Sequence, residues 1–117
     1  MSEAILHSLN SLGWDRVDPL LRRKVIDGSS MTMTRYSFSP GGRFPLHVHQ
    51  QEQITYVLEG AIQFTFDEAS HSLGGGDMVV IPPDLPHSAQ AGPDGAEVLS
   101  VVSPSRTEGR GVQLLEE

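Results

Sequence analysis

The chain contains no cysteine. That excludes a disulfide framework, a thiolate zinc site and a thiol nucleophile, and it agrees with a reducing compartment. Basic residues are also scarce: eight Lys and Arg stand against fifteen Asp and Glu, for a formal net charge of -7. A protein that grips a phosphate backbone needs a basic face. The one basic cluster, Arg22-Arg23-Lys24, reads as a solvated strand end, so nucleic acid is not an expected partner. Long apolar runs are missing as well. The longest is Met78–Ile81, against the roughly 20 residues that a membrane-spanning helix requires. The opening MSEAILHSLNSLGW has neither the basic start nor the apolar core of a secretory signal. The expectation is a soluble cytoplasmic protein with no membrane partner.

What is present is punctuation and alternation. The 117 residues suit one domain, which at that size buries roughly two thirds of its unfolded surface. Met31–Phe38 mixes apolar residues with threonines and stops at Ser39-Pro40-Gly41-Gly42. Ile54–Leu58 and Ala61–Phe66 flank Glu59-Gly60, which reads as a two-residue hairpin turn. Gly74-Gly75-Gly76 precedes Asp77–Ile81, Pro82-Pro83 closes it, and Ala96–Val102 is the last apolar run. Helical spacing is weak and confined to Leu6–Leu12 and Pro19–Lys24. Many short strands between Gly and Pro turns predict an all-β sandwich or barrel. Residues 1–21 are expected to form an arm on the outside of it, and 22–117 the barrel with a C-terminal tail. In a homodimer that arm can cross to the partner.

The stretch LHVHQQEQITYVLEG carries the chemistry. Alternate residues of a strand face one side, roughly 6.6 Å apart. His47 and His49 therefore project together, and Gln53 shares their parity, although Gln50-Gln51 can bend the chain. His87 follows GDMVVIPPDLP and is the fourth candidate. Three imidazoles and an amide oxygen suit one divalent transition metal ion, whether zinc, nickel, iron, manganese or cobalt. His7 and His71 lie outside this pattern.

These residues give the chain a family resemblance. Gly41, His47, His49, Gln53 and Gly60 have the spacing of the first cupin motif, with glutamine in place of glutamate. Gly76, Pro82, Asp84, His87 and Ala91 have that of the second, with Asp84 in place of glycine and Ala91 in place of asparagine. The chain thus resembles a single-domain cupin. The resemblance implies a double-stranded β-helix, or jelly-roll barrel, with His47, His49, Gln53 and His87 around an ion at its mouth. A glutamine leaves the ion its full charge, which strengthens attraction for an anion and favours Lewis-acid chemistry.

Within the family the chain most resembles the small KdgF-type cupins, which convert cyclic unsaturated uronates from pectin and alginate to a linear keto form. Their Asp-x-Phe-Ser-Pro-x-Arg segment reads here Ser100-Val101-Val102-Ser103-Pro104-Ser105-Arg106. Ser-Pro and Arg106 match, but the aspartate thought to move a proton is Ser100. Ser100 can orient a hydroxyl or a water, and Arg106 can pair with a carboxylate. Arg35, if it points inward, is a second anion-binding candidate, and Tyr56 a further substrate contact. Met31 and Met33 share Arg35's face and are expected to line the barrel. The resulting expectation is a metal-dependent enzyme, of isomerase or lyase type, acting on a small oxygenated anion. A dioxygenase or cyclase-like enzyme with the same metal shell, and a non-catalytic ligand-binding module, stay open. Fold does not choose among them, and the homodimer follows from the resemblance alone.

Overall fold

The described residues form nine strands: β1 (Asp15–Asp18), β2 (Leu21–Asp27), β3 (Thr32–Phe38), β4 (Arg43–His49), β5 (Glu52–Phe66), β6 (Ala69–Gly74), β7 (Met78–Ile81), β8 (His87–Ser103) and β9 (Val112–Leu114). The computed structural model describes residues 3–106 and 112–115. Its described helical content is one 3-10 turn, Leu9–Ser11. No helix among the described residues is long and apolar enough to cross a membrane. Pro19–Lys24, weakly helical in its spacing, is a turn followed by the start of β2.

Two strands organise the rest. β5 has 15 residues and β8 has 17, and they run antiparallel from Glu52 opposite Ser103 to Phe66 opposite His87. Their register slips between Val57 and Glu59 and again between Gly60 and Ile62. Gly60 has φ +80° and Gly95 φ +77°. A Cβ on Gly60 would run into the carbonyl oxygen of Gly95, and one on Gly95 would lie 2.5 Å from the carbonyl oxygen of Phe38. Left-handed backbone with no room for a side chain leaves glycine as the unstrained choice at both. Glu59-Gly60 is therefore not the hairpin turn its sequence suggests, but a bulged bend inside one strand.

The bend splits the curled sheet into two halves that share β5 and β8. On one side β1, β2 and β3 lead to the C-terminal half of β8, then the N-terminal half of β5, then β7. On the other, β9 and β4 lead to the N-terminal half of β8, the C-terminal half of β5, and β6. This is a jelly-roll barrel. Leu21, Phe38, Val57, Ile62, Phe64, Ile81 and Val98 fill its interior.

Parity on β3 departs from the expectation. Thr32, Thr34, Tyr36 and Phe38 point inward, whereas Met31 and Met33 are 50% and 41% exposed. Arg35 also faces outward, where its Nη2 meets Glu97 Oε1 at 2.7 Å. The Ser37 hydroxyl donates to the other oxygen of Glu97 at 2.6 Å. Alternating Thr and Met gives both faces one apolar and one hydrogen-bonding option, so the residue types alone do not choose. Thr32, buried at the start of the strand, finds hydrogen-bond partners there. Thr32 Oγ1 donates to Asp27 at 2.6 Å and accepts from the backbone N–H of Arg106 at 2.8 Å.

The N-terminal segment lies against β2. The Trp14 ring meets both Arg22 and Lys24, whose cationic groups are 4.2 and 4.6 Å from its centre. Lys24 Nζ also donates to the carbonyl of Leu9 at 2.8 Å. Lys24 is thus buried by this segment rather than solvated, while Arg22 stays exposed as expected of a strand end.

Candidate metal centre

β4 closes with Pro-Leu-His-Val-His, and strand alternation puts both imidazoles inside the barrel. Gln50 and Gln51 then bend the chain, Glu52 points out, and Gln53 turns in at the start of β5. His87 opens β8 directly opposite His47. The turn before it holds Asp84 at φ +63°, a conformation that aspartate tolerates better than most residues. This is the position where the family motif has glycine. Asp84 N–H donates to the carbonyl of His49 at 2.9 Å, which ties the His87 turn to the strand that carries the other two rings.

The three rings converge. Their centres are 4.2 Å apart for His47 and His87, 5.0 Å for His49 and His87, and 5.6 Å for His47 and His49. One nitrogen from each lies within 4.8 Å of the others. A backbone carbonyl can only accept, so each Nδ1 carries the proton and donates: His47 to Pro45 at 2.7 Å, His49 to Gln51 at 3.0 Å, His87 to Leu85 at 2.9 Å. That fixes the tautomer and leaves each Nε2 with a lone pair. Burial, above all, holds the rings neutral. His47 is lowered to about 3, helped by the neighbouring His87, and His87 to about 4. His49 is lowered by burial and then by the charge of Arg106.

Two details fit this pocket to a cation. The Nε2 of His87 is buried without a hydrogen-bond partner. The Nε2 of His49 lies 3.0 Å from Oε1 of Gln53, while the Gln53 amide donates instead to Thr55 Oγ1 at 2.8 Å. With Nδ1–H committed to Gln51, this sets a lone pair against a lone pair. A positive ion between them resolves the clash. Nitrogen and amide-oxygen donors suit a divalent first-row metal.

Three of the four donors, His47, Gln53 and His87, line a cavity of about 30 Å³, room for about two waters. Its walls include Thr34, Tyr36, Phe44, Thr55, Ser100 and Arg106. Among the described residues that line it there is no carboxylate. Arg106 is 7% exposed, and its charge acts on all three histidines.

The structure thus brings Arg106 and Ser100 to the metal candidates and leaves two other candidates outside. Arg35 is on the outer face, paired with Glu97. Tyr56 is 38% exposed on the same outer side, because it shares parity with Glu52 and Ile54 rather than with Gln53. His7 and His71 are exposed. Four wall residues escaped the sequence reading: Thr34, Tyr36, Phe44 and Thr55. Parity counted from Gln53 would have found Thr55. Nothing local marks Tyr36, since β3 reads equally well either way up.

Comparison with known proteins agrees with this geometry. The family model for the cupin domain matches residues 34–102, more than half of the chain. The chain is 32% identical over 84 residues to oxalate decarboxylase OxdC of Bacillus subtilis (strain 168), covering 68% of itself but 22% of that enzyme. It is 31% identical over 72 residues to an uncharacterized protein of Methanocaldococcus jannaschii, 58% of whose length it spans. Among solved structures, KdgF from Halomonas sp. superposes with a TM-score of 0.84 at 25% identity, over 90% of this chain and 97% of that one. An RmlC-like cupin from Shewanella frigidimarina superposes with a TM-score of 0.82 at 23% identity, over 90% and 95%. The inward His47, His49 and His87 and the barrel around them place this chain in the cupin family.

Proposed function

We propose that this cupin binds one divalent metal through His47, His49, Gln53 and His87 and acts on a small oxygen-rich anion; the leading candidate is an unsaturated monouronate, of which the cavity takes only the carboxylate end. One observation carries the reading. Three of the four neutral donors and the buried Arg106 line a single cavity whose described lining has no carboxylate. With a divalent ion held by neutral ligands, a partly desolvated pocket of this kind attracts an anion strongly. The near full-length similarity to KdgF supports a uronate over other anions.

Bound there, a divalent ion supplies Lewis-acid polarisation of a carbonyl or carboxylate oxygen. The protein's own groups do the rest. Arg106 receives the ligand carboxylate in a two-pronged pair. Phe44, against His47 with ring centres 4.4 Å apart, keeps water from one side of the rings. Tyr36 brings a phenol to the wall, which can hold a ligand oxygen or pass it a proton. Ser100 is a poor proton donor for that role, since a serine hydroxyl is a weak acid and this one is also bonded to Thr55 at 2.8 Å.

The test is ultraviolet loss of the conjugated double bond in 4,5-unsaturated galacturonate and glucuronate. Turnover that requires metal and Gln53 supports the reading. Decay at the spontaneous rate by metal-loaded protein removes it. Serine at 100, where the resembled cupins carry an aspartate, favours a second reading, a binding module without turnover. Saturable uronate binding without double-bond loss would identify it, and oxygen-dependent turnover would point to dioxygenase chemistry instead.

A further inference from the structure

The polar residues beneath the four donors form a continuous chain. The Gln53 amide donates to Thr55 Oγ1 at 2.8 Å, and Thr55 Oγ1 is 2.8 Å from Ser100 Oγ. The three residues are 8%, 0% and 4% exposed. Thr55 and Ser100 face each other across β5 and β8, and Ser100 faces Thr34 across β8 and β3. Three hydroxyl residues thus sit side by side at a level of the barrel where apolar side chains would otherwise pack. Burying a hydroxyl without a partner is costly, so such a row calls for a reason.

From this arrangement we infer that Thr55, held by Ser100, is a positioning residue that makes Gln53 a metal ligand. A primary amide has two unlike ends, and only its oxygen binds a hard or borderline cation. By accepting the N–H of Gln53, Thr55 turns Oε1 toward Nε2 of His49 and into the ring of donors. Ser100 holds the Thr55 hydroxyl in place. A glutamate at position 53 would need no such sorting, because its two oxygens are equivalent. Glutamine at 53 and the buried hydroxyl pair beneath it therefore belong together, and Ser100 has a function other than proton transfer. The inference rests on reading the four donors as a metal shell.

Direct metal titration of chelator-treated protein tests both, using Co2+ for its visible absorption and calorimetry for affinity. Thr55→Val should weaken Co2+ binding about 10- to 100-fold, the range for residues that orient metal ligands, and alter the Co2+ band shape. Thr55→Ser should recover affinity to within a few fold. In a Gln53→Glu background Thr55→Val should change affinity by less than about threefold. A merely structural role would instead lower the melting temperature of the metal-free protein and act equally in both backgrounds. Wild-type protein that takes up no Co2+ removes the metal shell and this inference with it. Wild-type binding that Thr55→Val leaves unchanged overturns the inference alone, as does equal loss in both backgrounds.

Discussion

Oε1 of Gln53 and Nε2 of His49 stand 3.0 Å apart, each turned toward the other by hydrogen bonds made at its opposite end. Two lone pairs held in register invite a cation. Purified protein should therefore retain close to one equivalent of divalent metal by elemental analysis. His47→Ala, His49→Ala and His87→Ala should each reduce that below about a tenth, while Gln53→Ala should weaken affinity without abolishing uptake, since three imidazoles remain. Equal occupancy in all four variants would contradict the site.

Acid should act on the metal-free barrel in one direction. In the folded chain His47 and His87 stay neutral down to about pH 3 and about pH 4, whereas unfolded histidines take up protons near pH 6.5. Between these limits the unfolded state binds more protons, so stability falls as pH falls. The stabilisation is complete above about pH 6.5 and is lost progressively on the way down to pH 3. Urea unfolding at pH 7, 5.5 and 4.5 in chelator should show falling midpoints, and His47→Gln should flatten the trend.

Arg106 should govern anion affinity, and because its charge also acts on the three histidines its removal should, if anything, strengthen metal binding. Arg106→Ala is expected to weaken binding of a small carboxylate ligand at least tenfold, in keeping with loss of a charge-assisted pair. Arg106→Lys should restore part of it, because an ammonium supplies charge without the planar fork. Calorimetric titration of metal-loaded protein checks this, with Co2+ affinity measured alongside.

Changes on the outer face should leave the site alone. Tyr56→Phe and Arg35→Met are predicted to keep anion affinity within about twofold. The Arg35–Glu97 pair is about one quarter exposed on each side, so its loss should cost less than about 1 kcal/mol of stability.

That same face sets an expectation for assembly. Met33, Ile54, Tyr56, Met78 and Val80 are 38% to 65% exposed, and they neighbour one another across β3, β8, β5 and β7. With Met31 they offer roughly 600 Å², at the upper end for a patch on a monomer. That is somewhat below the roughly 800 Å² that one partner of a standard interface contributes. A second copy of the chain is the occupant proposed. Sedimentation equilibrium should give a dimer that Val80→Glu and Ile54→Glu convert to monomer.

Much of this was legible in the sequence because it depends on counting. His47, His49 and Gln53 share parity, and period two carries all three to one side whatever the barrel around them. The jelly roll follows from two motifs at the right separation. The hairpin at Glu59-Gly60 was misread because a Glu-Gly pair serves a turn and a bulge equally well. Only the carbonyl of Gly95, 35 positions further along the chain, decides between them. Arg35 and Tyr56 failed for a related reason: which face of a strand points inward is settled by its neighbours in the sheet. Tyr36 and the Thr55–Ser100 contact are cross-strand facts with no local mark.

The paired bend at Gly60 and Gly95 also governs how this protein can change length. Gln53 lies seven residues before one glycine and His87 eight before the other. With each strand anchored at its bend, inserting or deleting a single residue in either interval reverses every side chain beyond it, carrying a ligand to the solvent side. The turn at Asp67-Glu68, between β5 and β6, has no such bookkeeping behind it. Length variation among related chains should therefore gather in that turn and spare the two intervals that lead from the bends to the mouth.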